Sequence, residues 1–139
     1  MMNGFDYLID LERFDFDRIH SWLTHSYWSP GITRQRVEQG FQGSTVCVGA
    51  FLNGRQIGVA RCISDTTRFA YVADVFVQED QRRKGVAREL VRQLMEHPRL
   101  TDVESWYLLT RDAHSVYAGL GFTPHPRPQD LMRLVKPGK

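Results

Sequence analysis

Residues 71–95, YVADVFVQEDQRRKGVARELVRQLM, decide the fold. They predict an apolar strand, a short basic loop with a glycine at position 85, and an amphipathic helix with Val86, Leu90 and Leu94 on one face. The first N–H groups of a helix have no partner within the helix, and the helix dipole adds positive potential there. A strand that leads through such a loop into a helix is therefore typical of a site for an anionic phosphate group.

Patterns of apolar residues on both sides of this stretch predict one α/β unit without repeats or linkers, a single domain over residues 1–139. Asn53-Gly54 is a strong hairpin signal, Asp15 or Asp17 can cap a first helix, and Thr33 can cap a second. The expected strands are 7–9, 44–52, 56–64, 68–77, 104–110 and 131–135, and the expected helices are 14–26, 33–41, a helix from 86 that ends before Pro98, and 112–119.

Composition argues against several classes of protein. The net charge of +2 is too balanced for broad nucleic-acid binding, although residues 82–84 form a small basic cluster. No apolar run is long enough to span a membrane, and the first residues lack the pattern of a secretory signal. We therefore expect a cytoplasmic protein with no nucleic-acid partner and no membrane partner.

The two cysteines, Cys47 and Cys62, lack the spacing of a metal or redox site, and no metal is expected. A two-residue turn at 53–54 would place Cys47 opposite Ala60, so that Cys62 is only a diagonal neighbour. Two reduced, half-buried thiols are therefore favoured over a disulfide.

The basic loop carries a motif, Arg82-x-x-Gly85-x-Ala87. It resembles the acetyl-CoA signature Gln/Arg-x-x-Gly-x-Gly/Ala of the GNAT family, the GCN5-related N-acetyltransferases. In that family the signature lies between the fourth strand and the third helix, and residues 74–77 look like the apolar end of that strand.

A second block supports the same resemblance. Ala113, Tyr117 and Gly121-Phe122 look like the family's Ala-x-x-x-Tyr-x-x-x-Gly-Phe, and the order of elements resembles the family over nearly the whole chain. The resemblance implies an α/β (α+β) GNAT fold. Its sheet would be central, mixed, mostly antiparallel and twisted, with about six to seven strands flanked by about four helices.

The resemblance implies acetyl-CoA as cosubstrate. Glycine at 85 and a small residue at 87 would let the backbone approach the pyrophosphate, and a backbone N–H at the end of the fourth strand would face the thioester oxygen. Alternatively, the basic side chains, including Arg92, form only a solvated helix face. Thr110 stands where many members carry Asn. The expected cofactor-binding residues are Val75, Phe76, Val77, Arg82, Arg83, Lys84, Gly85, Val86, Ala87, Arg88, Thr110 and Tyr117.

Two residues are candidates for catalysis. Tyr117 matches the family's tyrosine general acid, and its alternative role is an aromatic packed near Phe122. Asp74 is the nearest strand carboxylate that could act as base or substrate anchor, provided that a bulge brings it to the face of Tyr71. Its alternative role is an ion pair with Arg61.

Two further polar residues flank Tyr117 on its N-terminal side. His114, three residues earlier, could relay protons or touch CoA, but an ordinary residue at a helix start is favoured. Asp112 is most simply a helix cap.

The acceptor would lie between the first two helices. Trp22, Tyr27 and Trp28, with Tyr71 and Asp74 on the strand, are the expected substrate-binding residues. The aromatic rings suit an apolar or cationic acceptor, Glu38 could attract a cation, and core packing is at least as good an account of Trp22.

The sequence thus predicts an acetyl-CoA-dependent N-acetyltransferase that acts on a primary amine by direct attack in a ternary complex. The amine would belong to a small molecule or a peptide, and a homodimer is possible by family analogy. The alternative is a non-catalytic acyl-CoA-binding or sensing module.

Overall fold

Five strands form the sheet of the computed structural model, which describes residues 3–138. They lie in chain order, with β1–β4 antiparallel to their neighbours and β5 parallel to β4. The sheet is mixed and mostly antiparallel, as expected, but has five strands. The strands are β1 (Asp6–Leu8), β2 (Val46–Leu52), β3 (Arg55–Ser64), β4 (Phe69–Val77) and β5 (Ser105–Leu108).

Four α-helices flank the sheet, and the first two are capped by predicted residues, although α1 covers only Phe16–Leu23 of the expected 14–26. The Asp15 carboxylate accepts from the N–H of Arg18, and the Thr33 hydroxyl accepts from the N–H of Arg36. The helices are α1 (Phe16–Leu23), α2 (Arg34–Gln42), α3 (Val86–Met95) and α4 (His114–Ala118), with short 3-10 turns at Leu11–Arg13, Glu79–Gln81, Pro98–Leu100 and Pro128–Asp130. None of the helices within residues 3–138 combines the length and the apolar character that a membrane crossing requires.

The sheet has an apolar core on each face. Leu90 and Leu94 of α3 pack on one face, and Ile19 of α1 and Phe41 of α2 pack on the other. Burying these side chains on both sides of one sheet is the main source of stability for such a three-layer arrangement.

The two cysteines belong to different cores, Cys62 on the α3 face and Cys47 on the α1–α2 face. The predicted pairing of Cys47 with Ala60 is wrong: Cys47 faces Arg61, because an irregularity near Ala50 shifts the β2–β3 register by one residue. Both thiols are free, as predicted, but fully rather than half buried. Burial raises the pKa of each to about 11, which disfavours a reactive thiolate.

The C-terminal segment differs from the prediction. Residues 131–135 form no strand, and their apolar side chains are exposed, Met132 by 90%. Prolines at 124, 126 and 128 precede this segment, and proline withholds the N–H groups that a strand needs for pairing. The expected sixth strand is therefore wrong.

Candidate active site

A bulge in β4 shapes the centre of the site. Arg61 of β3 faces Ala73 and Val59 faces Phe76, so a single β3 residue lies opposite Asp74 and Val75. Asp74 has a φ of 55°, a left-handed value that is unusual for a residue other than glycine. The extra residue reverses the alternation of the strand, so that Asp74 lies on the same face as Tyr71.

Strands β4 and β5 part beside this bulge. They pair from Phe69 with Ser105 to Val72 with Leu108, after which β4 continues to Val77 without β5. Two parallel strands that separate leave backbone N–H and C=O groups without strand partners. The opening therefore offers an extended ligand a strand edge to bind along.

Asp74 is the hub of a side-chain network at this opening. Its Oδ2 accepts from Arg61 Nε at 2.6 Å, its Oδ1 accepts from Trp28 Nε1 at 2.8 Å, and its side chain is only 10% exposed. Arg61 also donates to the Gly40 carbonyl and the Ser44 hydroxyl. The alternative predicted from the sequence, a carboxylate paired with Arg61, is therefore observed, and both oxygens are engaged.

The loop before α3 forms a cradle of free backbone donors. Gly85, the N-cap of α3, has a φ of 80°, and Arg83 has a φ of 65°. Within residues 3–138, the backbone N–H groups of residues 83–88 make no hydrogen bond, and the first N–H of α3 that does is that of Glu89, which donates to the Gly85 carbonyl at 3.0 Å. Such a set of outward N–H groups at a helix start favours an anion.

The basic side chains of this loop differ in their surroundings. Arg82 donates to the Val77 carbonyl at 2.8 Å, and its guanidinium carbon lies 5.1 Å from the centre of the Phe76 ring. Lys84 donates to the side chain of Gln81 at 2.9 Å, and Arg83 is exposed. Arg82 thus fastens the loop to the end of β4, where it keeps its charge close to the cradle.

Farther along α3, Arg88 and Arg92 both have partners within the protein. Arg88 donates to the Gly119 carbonyl at 2.8 Å, so it joins α3 to α4. Arg92 pairs with Glu89 and Glu96. Neither arginine belongs to a merely solvated helix face.

Glu89 of α3 is buried, although helical periodicity alone places this charged residue outside the apolar face of Val86, Leu90 and Leu94. Burial pushes its pKa up, but hydrogen bonds from Arg92 and Gln93 push it down further, so the net shift is downward. A buried carboxylate is tolerated when such donors surround it.

The opening between β4 and β5 is called the cleft below. Tyr117 is buried beneath it, with 8% of its surface exposed. Burial, followed by the charges of Tyr27 and Asp112, raises its pKa to about 12, so the phenol stays protonated at neutral pH. Its ring also packs edge-on against Phe122, with 6.2 Å between ring centres. Both roles predicted from the sequence are therefore compatible with its position.

The turn before α4 is fixed by Thr110. The Thr110 hydroxyl accepts from the N–H of Ala113 at 3.0 Å, whereas Asp112 makes no capping bond. The prediction that Asp112 caps this helix is therefore wrong, because the helix begins two residues later, at His114, and Ala113 is the N-cap. His114 is exposed and lines an open groove together with Tyr71, Thr110 and Tyr117.

The aromatic turn, residues 27 and 28, spans the cleft. The two rings meet edge to face at 4.9 Å and are each about two-fifths exposed, Tyr27 by 42% and Trp28 by 40%. Trp28 reaches Asp74 of β4, and the Tyr27 hydroxyl accepts from the backbone N–H of Arg111 at 2.9 Å. The turn therefore connects the end of β5 to the bulge of β4.

Two residues of this region differ from the sequence prediction. Trp22 stacks on Phe76 at 5.3 Å and packs against the α1–α2 core, which favours the structural alternative for this residue. Arg111, which was not predicted, lies with its guanidinium carbon 4.2 Å from the centre of the Tyr27 ring. In the sequence, Arg111 directly follows Thr110, a predicted cofactor-binding residue, and this position could have indicated that Arg111 belongs to the site.

The structure brings Tyr27, Trp28, Asp74 and Tyr117 around one cleft, with the cradle at 83–88 at the end of β4. No cluster of three or more His, Cys, Asp or Glu side chains able to hold a metal ion occurs within residues 3–138. The arrangement combines an anion cradle, an open strand edge and a buried proton donor.

Comparison with known proteins identifies this arrangement. The model of the Acetyltransferase (GNAT) family matches residues 5–122. No curated protein matches the sequence.

Several solved structures are similar. A candidate acetyltransferase of the GNAT family from Xanthomonas campestris pv. campestris is 38% identical, with a TM-score of 0.87, over 96% of this chain and 94% of that chain. A predicted acetyltransferase from Clostridium acetobutylicum, solved with acetyl-CoA, is 15% identical with a TM-score of 0.71, over 94% of this chain and 96% of that one.

Glucosamine-6-phosphate N-acetyltransferase from Arabidopsis thaliana is 12% identical with a TM-score of 0.67, over 97% of this chain and 99% of that chain. At such identities these last two proteins show the shared fold alone. The family model covers most of the chain, and the Xanthomonas protein matches it nearly end to end. The chain therefore belongs to the GNAT family of acetyltransferases.

Proposed function

We propose that this protein transfers the acetyl group of acetyl-CoA to a primary amine by direct attack within a ternary complex. One observation carries the proposal. Strands β4 and β5 separate, and the opening lies between the cradle at residues 83–88 and the buried phenol of Tyr117. A cosubstrate with a pyrophosphate at one end and a thioester at the other would have partners for both ends there.

The cofactor end rests on backbone donors. The free N–H groups of residues 83–88 would bind the pyrophosphate, with charge from Arg82, Arg83 and Lys84 close by. The edge of β4 at Val75, Phe76 and Val77 would pair with the extended arm of CoA and face the thioester oxygen as it gains negative charge. Arg88, which is bonded to α4, would support the cradle through the position of α3.

The chemical step forms one bond and breaks another. The neutral amine nitrogen attacks the thioester carbonyl carbon, the C–S bond breaks, and the CoA thiolate takes the proton of the Tyr117 hydroxyl. The proton that the attacking nitrogen loses as it becomes an amide restores the Tyr117 phenol through water. A primary amine has a pKa of about 10, so it must lose a proton before it attacks. Because both oxygens of Asp74 are engaged, we assign Asp74 an anchoring role through Trp28, and water at the open cleft takes the amine proton.

One observation favours a second candidate, an acyl-CoA-binding or sensing module without catalysis. Neither of the two β4 residues considered as a base is free to act as one. The Asp74 carboxylate is paired with Arg61, and the pKa of Tyr71 is raised, mainly by burial. A protein that holds acyl-CoA without transferring the acyl group needs no base.

Calorimetric titration with acetyl-CoA, run beside a free-thiol assay over a panel of amines, tests both candidates. Acetyl transfer requires saturable binding and thiol release that depends on an amine. Tight binding with no thiol release for any amine would contradict acetyl transfer and favour the sensing module.

We further infer a reducing, cytoplasmic compartment from the two buried, unlinked thiols of Cys47 and Cys62. The homodimer stays a prediction.

A further inference from the structure

Arg111 is held at the acceptor end of the cleft. Its guanidinium carbon lies 4.2 Å from the centre of the Tyr27 ring, and its own backbone N–H donates to the Tyr27 hydroxyl. Two contacts to one ring restrict both the backbone and the side chain of Arg111. Its side chain is nevertheless exposed. The cleft therefore presents a positioned, solvent-accessible cation.

Asp74 and Glu38, the two carboxylates expected at the acceptor end, already have partners. Both oxygens of Asp74 are taken by Arg61 and Trp28, and Glu38 pairs with Arg34 at 3.1 Å. Asp112, the neighbour of Arg111 in the chain, forms no ion pair with it, and no other carboxylate of residues 3–138 does so. The guanidinium of Arg111 is thus bound by no carboxylate of residues 3–138, although the exposed carboxylate of Asp112 follows it in the chain.

This charge distribution weakens one expectation from the sequence. Glu38, expected to attract a cationic acceptor, pairs with Arg34 at 3.1 Å, and Arg34 also pairs with Asp17. A polyamine or an aminoglycoside would meet the positive charge of Arg111 with no free carboxylate of Asp74 or Glu38 to offset it. A guanidinium fork matches the two oxygens of a carboxylate or a phosphate.

We propose that the acceptor is an amine that also carries an oxyanion, a carboxylate or a phosphate, and that Arg111 binds this oxyanion while Tyr27 and Trp28 contact the rest of the molecule. The inference rests on the proposed acetyl transfer and names the class of its acceptor. The carboxylate and phosphate sources share the same guanidinium chemistry, so the test includes one acceptor of each kind.

The test uses acceptors matched in pairs. Phenylalanine is compared with phenethylamine, and phosphoethanolamine with ethanolamine, in a thiol-release assay at saturating acetyl-CoA. For one pair or both, kcat/KM should be at least about tenfold higher for the anionic member, which reports whether a carboxylate or a phosphate is recognised. Arg111→Gln should lower kcat/KM for the anionic member about ten- to a hundredfold, mainly through KM. It should change kcat/KM for the neutral member less than about twofold.

The control variant is Arg55→Gln, an exposed arginine at the start of β3 beside the hairpin turn, and it should change neither pair. A second measurement is independent of turnover. Calorimetric titration of the preferred anionic acceptor into the CoA-saturated protein should show weaker binding for Arg111→Gln, and Arg111→Lys should recover part of it.

Three outcomes would overturn the inference. Turnover with equal or better use of the neutral amines would show that no oxyanion is recognised. An equal loss for both members of each pair in Arg111→Gln would show that Arg111 only positions Tyr27. Acetyl-CoA binding without turnover for any amine would instead reject the proposed acetyl transfer, and the inference with it.

Discussion

The indole N–H of Trp28 donates a 2.8 Å hydrogen bond to Asp74, across 46 positions of the chain. The bond joins the turn between α1 and α2 to the bulge of β4. Because Arg61 occupies the other oxygen of Asp74, the three side chains form one hydrogen-bonded unit beside the opening between β4 and β5.

Removal of this donor should loosen the acceptor end. Trp28→Phe keeps an aromatic ring but leaves one oxygen of Asp74 without its partner, so we expect a several-fold rise in the acceptor KM and a loss of about 1 kcal/mol in the free energy of unfolding. Steady-state kinetics and urea denaturation measure the two effects.

The matched control for that substitution is Trp106→Phe. Trp106 lies half-buried on β5, and its indole N–H makes no hydrogen bond within residues 3–138. This variant should lose stability through packing with no change in the acceptor KM. An equal rise in KM for both variants would contradict the role of the Trp28–Asp74 bond.

The cradle before α3 depends on the conformation of Gly85. Gly85→Ala places a methyl group at a φ of 80°, which costs about 1 kcal/mol, and sets it 3.4 Å from the side-chain nitrogen of Asn3, within the loop proposed to bind the pyrophosphate. We expect acetyl-CoA binding to weaken by at least about tenfold in calorimetric titration.

Gly54→Ala isolates the strain from the binding effect. Gly54 has a φ of 81° in the β2–β3 turn, and an added methyl group would meet nothing within 4 Å. This variant should lose similar stability and keep the wild-type affinity for acetyl-CoA. If both variants bound equally well, the cradle would not be the phosphate site.

Tyr117→Phe should lower kcat about a hundredfold and leave the affinity for acetyl-CoA unchanged, because the hydroxyl acts on the leaving thiolate. Tyr107→Phe, an exposed tyrosine of β5, serves as its control and should keep full activity. Unchanged turnover in Tyr117→Phe above pH 7 would exclude Tyr117 as the proton donor.

The raised pKa of Tyr117 also predicts a pH effect on stability. The unfolded phenol ionises near its ordinary pKa of 10.0, whereas the folded phenol stays neutral up to about 12. Its contribution is therefore complete below pH 10 and is lost as the pH rises toward the folded pKa. Between pH 9 and 11 the wild type should lose about 1 kcal/mol more than Tyr117→Phe in urea denaturation. Equal losses would contradict the burial of the ionisable hydroxyl.

The contact between α3 and α4 can be tested with a double-mutant cycle. A Cβ at Gly119 would lie 2.8 Å from the guanidinium carbon of Arg88, although the helical backbone at Gly119 would otherwise suit alanine. Gly119→Ala should therefore cost about 1 kcal/mol in the wild type and nothing in an Arg88→Ala background. Additive effects in urea denaturation would show that the two residues do not interact.

Features that depend on neighbouring residues were predictable from the sequence. Thr33 and Asp15 cap their helices, Asn53-Gly54 forms the hairpin turn, and Gly85 adopts the left-handed conformation before α3. Each follows from the chemistry of a few consecutive residues, and the motif at residues 82–87 combines several such features.

Features that depend on distant contacts were not predictable in the same way. The shift that sets Cys47 opposite Arg61 arises from an irregularity that no turn signal announces. Glu89 looks exposed by periodicity, but it is buried because Arg92 and Gln93 cover its charge. The contact of Arg111 with Tyr27 spans 84 positions and follows only from the path of the chain around the cleft.

The aromatic turn has a consequence for how acceptor preference can change among related proteins. It contacts β4 through Trp28 and the segment after β5 through Tyr27, whereas the phosphate cradle belongs to a different part of the chain. The short connection between α1 and α2 can therefore diverge, or be exchanged between relatives, while the cradle stays the same. With the acceptor at this turn and the acyl donor at the cradle, as proposed, a family built in this way can acquire new acceptors through substitutions in one short segment without losing its common acyl donor.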